Sequence, residues 1–256
     1  MAEQTKDQMN LATLIAPHLP YLRRYARALT GAQAAGDGFV AQTLETLIAD
    51  RDAIDHDASP RVGVYQLFHT IWSSATVAGI GPEEIPSRSR QFLLLTAVEE
   101  FTIEEASAVM RIAREEAEIL LRAARQELEE ARRARIMIIE DEPIIALDIE
   151  SIVTGMGHTV SGVAQTHRQA VARALEGRPD LILADIQLAD GSSGVEAVDE
   201  ILTSMTVPVI FITAYPERLL TGDQVEPPFL ITKPFRPEAV EAAIAQALFH
   251  DPSSAA

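Results

Sequence analysis

The sequence predicts two parts of different class: an all-helical first half, then a doubly wound α/β unit built on a parallel sheet. Three observations carry this. Beyond residue 135, short apolar runs alternate with amphipathic helical segments. Before it, apolar residues recur at helical spacing and there is no convincing strand. Between the two, the charged helical stretch Glu127–Arg135 holds no Gly- or Ser-rich linker, so the last helix of the first half is expected to run almost directly into the first strand.

In the second half, Ile136–Ile139, Leu181–Ala184, Val207–Ile212 and Phe229–Ile231 read as short buried strands. The helical segments between and after them are Ile144–Val153, Arg168–Glu176, Gly194–Leu202 and Pro237–Leu248. Pro216–Val225, where a fourth helix belongs, is poor in helical periodicity and is a candidate for a rearranged element. Glu140, Asp141, Asp185, Thr213 and Lys233 each stand at or just past a strand end. In an open parallel sheet, ligands collect beyond the strand carboxyl ends, so these side chains are expected to converge. Like unit charges 4 Å apart repel by roughly 4 kcal/mol at an effective dielectric of about 20. Three carboxylates together therefore call for a divalent cation, and hard oxygen ligands with open positions suit Mg²⁺. Pro234 directly after Lys233 suggests a cis bond.

In the first half, Leu11–Leu29 has helical spacing interrupted by Pro17 and Pro20. After Gly31–Gly38 come the amphipathic stretches Phe39–Ala49 and Val62–Ser73. Gly79–Pro86 reads as a linker, followed by helical stretches at Arg90–Glu100, Ile103–Met110 and Glu115–Ala131. Thr102 with Glu105 forms a capping box at the second of these.

Composition bounds the function. The chain has 256 residues, 47% of them hydrophobic, enough for two cores. Cysteine is absent, which excludes disulfides and cysteine-based metal or nucleophile chemistry. There is no run long enough to span a membrane and no signal-peptide pattern, so a cytoplasmic protein is expected. The formal charge of −17, about −5 over residues 1–135 and −12 beyond, argues against broad contact with nucleic-acid backbones.

The strand-end constellation, from about Arg135 to His250, resembles the receiver domain of bacterial response regulators, a flavodoxin-like fold on a five-stranded parallel sheet. The resemblance implies that Asp185 accepts a phosphoryl group from a histidine kinase. It implies that Glu140, Asp141, Asp185 and the Gln187 backbone carbonyl hold Mg²⁺, while Thr213 and Lys233 sense the phosphate. Most receivers place an aromatic switch residue where this chain has Leu230, so Tyr215 is the candidate to take over that role.

His18–Gly31 (HLPYLRRYARALTG) with Phe39–Arg51 (FVAQTLETLIADR) resembles the second domain of an extracytoplasmic-function-type sigma factor. Ser87–Leu128 resembles its fourth domain, a helix-turn-helix. At the place of the base-reading helix stand Arg114, Glu115, Glu116, Ala117, Glu118, Ile119 and Leu120. Carboxylates facing a duplex repel phosphate and release no counterions. Arg111 replaces the glycine usual in the turn, and Gly36–Gly38 dilutes the acidic patch of true sigma factors. Glu115, Glu116, Glu118, Ile119 and Leu120 are instead candidates for contacting a protein.

A sigma-like half before a receiver resembles the PhyR-type regulators of the bacterial general stress response. The implied function is sequestration of a small anti-sigma factor of the NepR type, with phosphorylation freeing the sigma-like surface. No direct DNA binding, no membrane association and no enzyme activity beyond self-dephosphorylation are expected. The expected division is a domain-two-like region at 1–78, a linker at 79–86, a helix-turn-helix region at 87–133 and a receiver at 134–250. Three alternatives remain: a DNA-binding regulator with a C-terminal receiver, a phosphotransfer protein relaying through His69, and an aspartyl-phosphate hydrolase. The last lacks residues for a cap domain.

Overall fold

The computed structural model describes residues 13–55, 57–78, 85–129, 133–188, 191–214 and 227–249. The chain divides into two compact units, Met1–Leu121 and Arg122–Ala256. Tyr215 and the Pro216–Val225 stretch lie outside the described residues.

The first unit is helical. A 3₁₀ turn, Ala16–His18, leads into α1, Leu19–Thr30, which ends at Gly31 with φ 68°. Pro17 and Pro20 sit in the first turns of these elements, where a missing N–H is harmless. The next helix, α2, spans Gln33–Ala49 and starts six residues before the sequence reading placed it. Gly36 is the reason: a Cβ there would stand 2.7 Å from the Arg27 backbone nitrogen. The glycine that reads as a breaker serves a close crossing of two helices.

Helix α3, Pro60–Val77, is capped by Ser59, whose hydroxyl accepts the Val62 N–H. It carries Tyr65, Phe68 and Trp72 into a core completed by Leu22 and Tyr25 of α1 and by Phe92. Phe39 of α2 meets Trp72 edge-on at 5.1 Å. Fully burying such side chains contributes roughly 1.5–3 kcal/mol each. Helix α4, Arg88–Leu93, passes straight into a π-helical turn, Leu94–Val98, where the sequence suggested one continuous helix to Glu100. The wider turn delivers Glu99 inward, 1% exposed. Its carboxylate accepts from Arg24 Nε at 2.9 Å and from the Tyr65 hydroxyl at 2.9 Å. Arg24 also donates to the Val98 carbonyl, and Arg61 to that of Glu99. Helix α5, Ile103–Met110, starts at the expected Thr102–Glu105 capping box. Arg111 takes a left-handed conformation (φ 52°) in the turn before α6, Arg114–Glu129. The division between the units falls inside α6.

The second unit is a five-stranded parallel sheet in the order β2-β1-β3-β4-β5. The strands are β1 Arg135–Ile139, β2 Thr159–Ala164, β3 Leu181–Ala184, β4 Val209–Thr213 and β5 Phe229–Thr232. The connecting and final helices are α7 Pro143–Gly155, α8 His167–Gly177, α9 Gly194–Leu202 and α10 Pro237–Phe249. Four strands match the apolar runs because they are buried along most of their length. Strand β2 (TVSGVA) gave no such run. It is an edge strand, and only Ala164 in it is fully buried. Met137, Ile139, Ile182, Ala184, Phe211 and Leu230 pack a core with Ala170 and Ala174 of α8 and Val198 and Ile201 of α9.

Candidate functional site

Register assembles the site. Ile139 pairs with Ala184, so the next residues, Glu140 and Asp185, emerge side by side. Glu140 N–H donates to the Ala164 carbonyl and Asp185 N–H to that of Ile139. Thr213 pairs with Thr232, and Lys233 N–H donates to the Thr213 carbonyl at 2.7 Å. The Lys233–Pro234 bond is cis, as the sequence suggested. Five side chains, Glu140, Asp141, Asp185, Thr213 and Lys233, from four parts of the sequence thus reach one end of the sheet.

Asp141, Glu142, Asp185, Gln187, Leu188, Thr213, Ala214 and Lys233 line a cavity of about 390 Å³. Asp185 Oδ1 accepts from its neighbours' backbone, Ile186 N–H at 2.6 Å and Gln187 N–H at 3.3 Å. Asp185 Oδ2 accepts from Lys233 Nζ at 2.6 Å. The same ammonium donates to Glu140 Oε2 at 2.7 Å. Glu140 is wholly buried, and its Oε1 accepts the Glu142 N–H. Burial pushes the Glu140 carboxyl up, and the hydrogen bond from Lys233 offsets this only in part. For Lys233, burial alone acts downward, but its hydrogen bonds to Asp185 and Glu140 carry the ammonium above its ordinary value.

Glu140, Asp141 and Asp185 can each present a carboxylate oxygen within 4.8 Å of the others. Lys233 balances one of those charges and leaves two, all on hard oxygen ligands. That donor set fits a divalent cation such as Mg²⁺. Glu142 is a lining residue that the sequence reading passed over, though it stands third in the acidic run Glu140-Asp141-Glu142.

The candidate partner residues on α6 separate. Glu115, Glu118 and Ile119 are exposed, Ile119 by 56%. Glu116 is half-buried and pairs with Arg88 at 2.8 Å, while Leu120 is half-buried. Arg114 lies 2.7 Å from Glu104 and 3.7 Å from Glu118. His69 is 5% exposed and 2.7 Å from the Tyr25 hydroxyl, and burial lowers it to about 3. A buried, neutral imidazole is unsuited to relaying a phosphoryl group.

Comparison with known proteins follows the same division. The profile for the Sigma2 domain of PhyR matches residues 15–69, and that for the response regulator PhyR sigma-like domain matches 83–131. The response regulator receiver profile matches 136–245. Over 259 residues the chain is 47% identical to the phyllosphere-induced regulator PhyR of Methylorubrum extorquens, covering 96% of this chain and 97% of that one. The chain belongs to the PhyR family. It is a response regulator that carries a sigma-like region ahead of its receiver. Among solved PhyR structures, that from Brucella abortus superposes with a TM-score of 0.88 at 50% identity, over 95% of this chain and 96% of that one. The anti-anti-sigma factor PhyR of Bartonella quintana also gives 0.88, at 49% identity over 95% and 98%. No described helix of this PhyR-family chain is long and apolar enough to cross a membrane.

Proposed function

We propose that this chain is a phosphorylation-controlled anti-anti-sigma factor: phosphate on Asp185 promotes capture of a small anti-sigma factor of the NepR type by the sigma-like region. One observation carries the reading. In a PhyR-family chain, Asp185 opens onto a cavity with one carboxylate oxygen fixed by backbone donors and the other held by Lys233. The Bartonella quintana relative, named as an anti-anti-sigma factor, supports the partner class.

Asp185 takes the phosphoryl group of a phosphohistidine on a histidine kinase. Its carboxylate oxygen forms the bond to phosphorus as the bond to the imidazole nitrogen breaks. Thr213 donates to a phosphoryl oxygen and Lys233 neutralises another. Glu140, Asp141, Asp185 and the Gln187 carbonyl would hold Mg²⁺, which when bound offsets charge on the phosphoryl oxygens. The chain's own further chemistry is hydrolysis of its aspartyl phosphate. Tyr215 is the proposed switch residue. Glu115, Glu118 and Ile119, with Glu116 and Leu120 behind them, form the proposed contact surface on α6. Carboxylates there disfavour the DNA-binding reading, because they cannot replace phosphate counterions. Phosphate and partner then favour one another by linkage.

The test is capture from a cytoplasmic extract by the full-length chain, with and without beryllofluoride and Mg²⁺, alongside Asp185→Asn. A small anti-sigma protein retained only by the activated wild-type chain is expected. Retention of promoter DNA, or equal protein capture by Asp185→Asn under activation, would overturn the reading.

A further inference from the structure

The geometry points to Gly194 as a positioning residue for Asp185, one that sets the acceptor carboxylate by leaving room for the peptide on which it is built. This rests on the reading of Asp185 as phosphoryl acceptor. Gly194 opens α9, nine positions past Asp185, and is buried. A Cβ built there would overlap the Asp185 carbonyl oxygen and stand 2.9 Å from the Asp185 carbonyl carbon and 3.6 Å from Ile186 Cα. These neighbours are backbone, so no side-chain rotation relieves the clash.

The same short segment orients the acceptor. The Ile186 and Gln187 N–H groups fix Asp185 Oδ1, and Gly194 N–H holds the Ile186 carbonyl from behind at 2.8 Å. Gln187 and Ser193 bridge the two sides of the loop. A methyl at 194 therefore pushes residues 185–187 away from α9 and turns both donors off the carboxylate. Gly191, in the same loop, makes a control. It has φ +77°, so a side chain strains it, but a Cβ there meets nothing within 4 Å.

Full-length wild type, Gly194→Ala and Gly191→Ala are treated with acetyl phosphate and Mg²⁺, and the rate constant of Asp185 phosphorylation is read by mass spectrometry. An Asp185 oxygen bonds to phosphorus, the phosphorus–oxygen bond to the acetyl group breaks, and acetate leaves with the electron pair. Gly194→Ala is expected to be slower by about tenfold or more, since small misplacements at a reacting group cost that much. Gly191→Ala is expected to stay within about threefold of wild type. Equal slowing of both variants, or an unslowed Gly194→Ala, overturns the proposal. If Gly194→Ala is unfolded in buffer, sucrose is added until its far-UV spectrum matches wild type and the rate is read there, with the same outcomes deciding. A wild-type chain that takes no phosphate on Asp185 instead defeats the acceptor reading beneath it.

Discussion

Arg24 and Glu99, 75 positions apart, meet at 2.9 Å with both side chains buried, and so join α1 to the turn before α5. Desolvation consumes most of the Coulombic gain of such a pair. Its effect is to specify one arrangement of the two sigma-like segments, since neither charge can be left alone.

Removing one partner should accordingly cost far more than removing both. Glu99→Ala is expected to destabilise the helical unit by about 3–5 kcal/mol, while Arg24→Met with Glu99→Leu comes closer to wild type. Urea unfolding followed by Trp72 fluorescence measures both. A double variant no more stable than Glu99→Ala would show that the charges contribute more than their burial costs.

Acid should weaken the helical unit through His69. Its value of about 3 in the fold lies below the 6.5 of the free side chain. The unfolded chain therefore binds an extra proton between those values. The stability linked to neutral His69 is complete above pH 6.5 and declines as pH falls toward 3, by about 1.4 kcal/mol per pH unit. A His69→Gln chain should lose less stability than wild type between pH 6.5 and 4.5. Parallel stability curves for the two chains would contradict this.

Two glycines of α2 should respond with opposite sign. Gly36→Ala forces the Arg27 backbone away and is expected to cost about 1–3 kcal/mol. Gly38→Ala meets nothing within 4 Å and should gain about 0.5–1 kcal/mol from helix propensity. Thermal unfolding midpoints decide the matter. A stabilised Gly36→Ala would mean the crossing is not tight.

Lys233 and Glu140 should be coupled even without metal. Lys233→Met leaves a wholly buried carboxylate beside Asp185, and Glu140→Gln relieves that. A double-mutant cycle in a chelator should give a coupling of about 1–3 kcal/mol. Additive single effects would rule out Lys233 as the counterion of Glu140.

The sequence was legible where burial is two-sided. Strands β1, β3, β4 and β5 are continuous apolar runs that stop at a polar residue, and that stop carries the acidic, hydroxyl and ammonium groups of the cavity. Strand β2 escaped because Thr159, Ser161 and Gly162 suit an edge rather than a core. The start of α2 escaped because a glycine that breaks a helix and one that admits a neighbour are the same letter. Glu99 drew no notice within the stretch Arg90–Glu100, since nothing local marks a charge whose partners lie on distant helices. The Lys233 bridge depends on how the strands are ordered in the sheet, and the crowding at Gly194 on how the segment after Asp185 folds back on itself, neither of which is written in the residue types alone.

Because Glu140, Asp185, Thr213 and Lys233 stand at or one step beyond the ends of their strands, the aim of each is tied to a two-residue alternation of faces. Losing or gaining a single residue within β1, β3, β4 or β5 would swing that side chain to the opposite side of the sheet. Insertions and deletions in this half of the chain are therefore expected to be tolerated in the connections at the far rim, where they leave the aim of these four side chains unchanged.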